Sequence, residues 1–64
     1  MCLSTAYLKK PDGERTLIMK NVSNVRIDGQ TVVLSDILGA ETPIPGTLAY
    51  ADLINGQLEI KSAA

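Results

Sequence analysis

Histidine, phenylalanine and tryptophan do not occur in this chain, tyrosine occurs twice, and cysteine once. Without histidine there is no imidazole base, no His-containing zinc site and no Cys–His pair. A single cysteine excludes an intrachain disulfide, which fits a reducing compartment, and a cytoplasmic location is expected. No apolar run is long enough to span a membrane, and no basic segment precedes an apolar stretch as in a signal peptide. The five glycines are dispersed among turns, so no glycine-rich phosphate loop exists. Six basic residues stand against seven acidic ones, and no basic run exceeds Lys9-Lys10. Nucleic-acid binders draw on clustered cations and stacking aromatics, and neither is plentiful here. Binding to nucleic acid is therefore not expected.

What is present is aliphatic. Hydrophobic residues make up 45% of the 64 positions, too many for disorder. The chain forms one domain, residues 1–64, close to the lower size at which a single core is self-sufficient. A core of Leu, Ile, Val and Met buries less area per residue than one built on rings, which points to stability shared with a partner subunit.

Cys2–Lys10 reads as a strand, with Leu3, Thr5 and Tyr7 on one face and Cys2, Ser4, Ala6 and Leu8 on the other. Pro11-Asp12-Gly13 ends it in a turn. Arg15–Lys20 is a second strand, and its unbroken Leu17-Ile18-Met19 predicts burial on both faces. Asn21–Asn24 should bend the chain or carry a bulge. Asp28-Gly29 between alternating segments predicts a hairpin that pairs Ile27 with Gln30 and Val25 with Val32. Val25, Ile27, Val32 and Leu34 then share the face that the core covers.

Ser35–Glu41 reads as strand, kink and a turn at Gly39 rather than as a helical turn. Thr42-Pro43-Ile44-Pro45-Gly46 should lie on an edge or in a loop, because each proline removes a ladder donor. A last hairpin turning at Asn55-Gly56 pairs Leu53 with Leu58 and Ala51 with Ile60 inward, and sets Tyr50 opposite Lys61 and Asp52 opposite Glu59 outside. Ser62–Ala64 reads as a frayed end. Together these segments predict an all-β fold of about five to seven short antiparallel strands, with spacing typical of a small barrel or sandwich, and a small SH3-like or partly open barrel is the form expected.

One constellation carries chemistry. The Cys2 thiol lies beside the terminal amine. A retained Met1 supplies that amine, and the Cys2 amide nitrogen and sulfur continue the run of donors. If Met1 is removed, the amine and the thiolate of Cys2 close a five-membered chelate. Either N,S set favours a square-planar late transition ion, Ni(II) or Cu(II). One chain provides too few donors, so a second copy across a two-fold axis would complete the site. A lone terminal cysteine also serves as a small packing residue, and the residues alone leave both readings open. Asp12, Asp28, Asp36 and Asp52 sit at turns or outward positions, where solvation and turn formation account for them, and Met19 reads as core.

The opening Met1-Cys2-Leu3-Ser4, the chain length, the hairpins at Asp28-Gly29 and Asn55-Gly56, and the preceding Pro45-Gly46 resemble the CooT family. These are small nickel-binding proteins associated with maturation of the nickel-containing carbon monoxide dehydrogenase. The resemblance implies a homodimer holding one Ni(II) between its N-terminal cysteines. It also implies a role as metallochaperone or store, with no catalysis, and a nickel enzyme or its maturation factors as partner. Cys2 is the residue carried over. A metal-free protein–protein interaction module is the alternative, and an RNA-binding barrel a weaker third.

Overall fold

The computed structural model describes residues 3–63. Five strands follow one another: β1 (Ser4–Lys9), β2 (Arg15–Asp28), β3 (Thr31–Asp36), β4 (Glu41–Asp52) and β5 (Gln57–Ser62). Each pairs antiparallel with the next, and a parallel pairing of β5 with β1 closes the ring into a barrel. No helix among the described residues is long and apolar enough to cross a membrane.

The inner surface is aliphatic, as the composition requires. Ala6, Val22, Val32, Leu34, Leu58 and Ile60 form the buried cluster, and Leu8, Ile18, Met19, Val25 and Ile44 pack against it. Met19 is thus a core residue, as expected.

Two irregularities re-phase β2 so that its side chains reach this core. Ala6 lies opposite Met19 but Tyr7 lies opposite Leu17, which leaves Ile18 as the extra residue of a bulge. Ile18 and Met19 therefore both face the core, while Leu17 turns outward and is exposed. The expected two-sided burial of Leu17-Ile18-Met19 fails at Leu17 for this reason. Four residues on, Asn21 adopts a left-handed φ of 59°. A further register shift follows, and Val22 is buried where plain alternation from Met19 would turn it out. The irregularity anticipated at Asn21–Asn24 is this bulge, and β2 runs through it unbroken.

The β2–β3 hairpin forms one residue later than expected. Asp28 pairs with Thr31, Ile27 with Val32 and Val25 with Leu34, so Gly29-Gln30 is the two-residue loop. Gly29 has φ 58° and Gln30 is not among the positive-φ residues. Glycine at the first central position is type II′ chemistry, whereas a type I′ turn on Asp28-Gly29 needs positive φ at both. The slip advances each strand by one, so Val25, Ile27, Val32 and Leu34 still share a face. Val32 and Leu34 are fully buried, but Ile27 lies near the tip and is 57% exposed.

Pro43 and Pro45 sit within β4, opposite Val33 and Thr31. This half of β4 pairs only with β3, and the missing donors fall on the side away from it. At Gly46 the strand passes from β3 to β5: its N–H donates to the Gln30 carbonyl at 2.8 Å, and it pairs with Ser62. A Cβ at Gly46 would strike the Lys61 carbonyl oxygen, so only glycine allows this passage. The anticipated fraying at Ser62–Ala64 does not hold for Ser62 and Ala63. Ser62 belongs to β5, and the Ala63 N–H donates to the Pro45 carbonyl at 3.2 Å.

Candidate functional site

The two residues that the sequence offers as metal ligands, Cys2 and Met1, lie outside the described residues. What is described is the place where the chain enters the barrel. Leu3 is half-buried. Thr5, the second residue of β1, donates its N–H to the Gly56 carbonyl at 2.8 Å. Gly56 has φ 67°, and a Cβ there would come within 3.0 Å of the Leu3 carbonyl oxygen. The β4–β5 loop therefore clasps the first described residues, backbone against backbone.

Asp52 shapes that loop. Its carboxylate accepts hydrogen bonds from the N–H groups of Ile54 (3.1 Å) and Asn55 (3.0 Å) and from the Asn55 amide Nδ2 (2.8 Å). The Asn55 backbone N–H is the main cause, ahead of its side chain, of a carboxyl pKa held below the ordinary 3.8. Capturing these donors pulls the chain out of the ladder at Asp52, and a four-residue loop of Leu53-Ile54-Asn55-Gly56 results.

The expected two-residue turn at Asn55-Gly56 is therefore corrected. Ala51 pairs with Leu58, Tyr50 with Glu59 and Thr47 with Lys61, while a bulge at Ala49 lets Leu48 meet Ile60. No Asp52–Glu59 opposition forms. Leu53, expected to face inward, is 75% exposed, and Ile54 is 95% exposed. An apolar surface thus stands beside the chain entry. The signal that could have found it is Asp52 itself, three residues before Asn55, an arrangement that favours side-chain capture of backbone donors over a tight hairpin.

The remaining aspartates behave as turn residues. Asp36 Oδ1 accepts from the N–H groups of Leu38 (2.9 Å) and Ala40 (3.0 Å), and Asp12 Oδ1 accepts from Glu14 (2.9 Å). Asp28 ends β2 beside the Gly29-Gln30 loop. Among the described residues no three His, Cys, Asp or Glu side chains come together as a metal site would need. The described part of one chain offers no metal centre, and the soft donor of the sequence is Cys2.

These features define a small closed all-β barrel whose chain entry is held against an apolar loop. A family profile for the CO dehydrogenase accessory protein CooT matches residues 1–61, and the chain belongs to that family. Its fold is shared by a crystal structure assigned to CooT from Carboxydothermus hydrogenoformans. The TM-score is 0.86 at 16% identity, covering 98% of this chain and 100% of the other. Comparison with curated proteins gives no match.

Proposed function

We propose that this protein binds Ni(II) through Cys2, with the terminal nitrogens of Met1 and Cys2 as further donors, and stores the ion or hands it to a nickel enzyme such as carbon monoxide dehydrogenase. The observation that carries the reading is the family match. It begins at residue 1 and so takes in Met1 and Cys2, the only cysteine of the chain. The donor set fits the ion: thiolate sulfur with amine or amide nitrogens suits square-planar late transition metals. Nickel is cargo here, and the protein catalyses nothing.

A homodimer completes the site in this reading, with one ion between the two N-terminal segments. Leu53 and Ile54 support it, being almost uncovered beside the chain entry. Covering each such side chain contributes on the order of 1.5–3 kcal/mol. A standard interface takes about 800 Å² per partner. That is roughly a fifth of the 4292 Å² this chain exposes, so a small barrel can supply it. The cytoplasm, where thiols stay reduced, is the compartment that suits such a site.

Cys2→Ser provides the test. The wild type should show a sulfur-to-nickel charge-transfer absorption that the variant lacks, with fold and dimer unchanged. A Cys2→Ser protein still holding one nickel per dimer would refute the reading. Leu38, 89% exposed on the β3–β4 turn, favours a second reading as a metal-free module that docks on a protein partner. Titration with Ni(II), Cu(II), Co(II) and Zn(II) separates the two, since the module predicts no tight, saturable binding of any of them.

A further inference from the structure

Away from the chain entry, the outer surface of the barrel carries a row of cations that the nickel reading does not use. In register across four neighbouring strands stand Thr47 on β4, Lys61 on β5, Lys9 on β1 and Arg15 on β2. Lys10 follows Lys9 directly. Four of the six basic residues of an acidic protein, Lys9, Lys10, Arg15 and Lys61, thus gather on one surface, although the sequence disperses them. Arg15 is already engaged: it pairs with Glu59 at 3.0 Å and lies 4.6 Å above the centre of the Tyr7 ring. No ion pair holds Lys9, Lys10 or Lys61 among the described residues.

Like charges set directly opposite one another on a sheet destabilise it. Lysines of this kind often guard a free strand edge, but Lys9 and Lys61 are paired to each other inside a closed ring. They also border a recess. A groove of 410 Å³ is lined by Lys9, Lys10, Pro11, Ala49, Lys61 and Ser62, with no acidic side chain on its walls. A second groove, of 300 Å³, continues from Lys61 and Ser62 past Thr47 to Gln30 and Gly46. The two grooves share Lys61 and Ser62 and make up a trough that is cationic on the side of Lys9 and Lys10 and lined, apart from Lys61, by neutral residues on the other.

We infer that this trough is the docking site for an acidic, extended segment of a partner protein. Charge complementarity selects the occupant. Adjacent strands are about 4.8 Å apart, so the row from Lys61 to Arg15 spans about 10 Å. Side chains on one face of an extended peptide repeat every ~7 Å. Two carboxylates on alternate residues of such a peptide fall within reach of the three ammonium groups, which no ion pair holds among the described residues. A compact oxyanion would leave most of the joined trough empty. No aromatic ring lines either groove to stack a nucleobase. The site also lies at the far end of β1 from Ser4. Along β1, Ser4 and Lys9 are separated by roughly 17 Å of extended strand. The proposal therefore stands independently of metal binding.

The test is a metal-free amide NMR titration of the full chain with an end-blocked hexaglutamate peptide at low salt. The expected result is saturable shifts confined to Lys9, Lys10, Ala49, Lys61, Ser62 and their neighbours, fading as salt rises. Affinity should fall roughly tenfold or more in K9E/K61E and persist in K20E, whose lysine lies outside the trough. The K9Q/K61Q variant should weaken binding less than K9E/K61E, and well-dispersed spectra verify that each variant is folded. Absence of saturable shifts overturns the proposal, as does binding that survives K9E/K61E. Trough binding of pyrophosphate or of a single-stranded oligonucleotide, with none of hexaglutamate, overturns it equally.

Discussion

Thr5 and Gly56 are joined backbone to backbone, N–H to carbonyl oxygen at 2.8 Å, so the start of β1 is tied to the end of the β4–β5 loop. In the proposed reading, this tie anchors the strand that follows Cys2 in the chain. Gly56 needs its left-handed φ of 67°, and its open α-carbon faces the Leu3 carbonyl. Gly29 also has positive φ but has nothing within 4 Å of a would-be Cβ. Gly56→Ala and Gly29→Ala should each lose about 1–2 kcal/mol of stability from backbone strain. Only Gly56→Ala should also weaken nickel binding. Urea denaturation and metal titration of the two variants check both halves of the expectation, and equal loss of affinity would contradict the coupling.

Core and surface leucines should differ sharply. Leu34 is fully buried at the centre of the aliphatic cluster, whereas Leu38 stands almost free on a turn. Leu34→Ala should cost about 2–5 kcal/mol, through lost transfer energy and the cavity left behind. Leu38→Ala should stay within about 0.5 kcal/mol. Chemical denaturation of both variants decides it. A large loss at Leu38 would mean that this turn is covered in solution.

Acid should unpick the β4–β5 loop through Asp52. Its folded-state pKa is lowered, chiefly by the Asn55 N–H, so the carboxylate form stabilises the fold. That contribution is complete above the unfolded value of 3.8 and disappears as pH falls through the lower folded value. Wild type should therefore exceed Asp52→Ala in urea midpoint at neutral pH. The gap should narrow only as pH drops below about 4. Midpoints measured from pH 7 to pH 2.5 test this, and parallel profiles would contradict it.

Nickel affinity should fall at a higher pH than the fold does. The proposed thiolate and nitrogen ligands must lose protons before they bind. Between pH 8 and pH 6 affinity should therefore drop steeply while circular dichroism stays constant. Binding indifferent to pH over that range would point to carboxylate ligands instead.

The sequence displayed the barrel through its aliphatic core, its alternating strands and its glycine-bearing turns. Lys10–Glu14 and Ser35–Glu41 turn where glycine and aspartate place them. What alternation alone could not reveal was phase. The bulge at Ile18 arises because two strands of a closing barrel must bend over the same core, and no local residue preference specifies it, whereas the irregularity at Asn21 was announced by its polar surroundings and by a residue that tolerates positive φ. The last hairpin misled for a different reason: Asn55-Gly56 is a strong turn pair, but Asp52 competes for the same backbone donors and wins. The lysine row is invisible in the chain order, because Lys61 and Lys9 become neighbours only through the parallel pairing that closes the ring. Of the candidate site, the sequence named Cys2 and Met1, and the exposed Leu53 and Ile54 beside the chain entry came from the fold.

Native mass spectrometry of the protein titrated with Ni(II) asks whether Cys2 gathers one ion between two chains. Wild type should appear as a dimer that takes up a single nickel ion, and Cys2→Ser as a dimer that takes up none. A nickel-free monomer under the same conditions, or equal nickel uptake by the serine variant, would contradict the account.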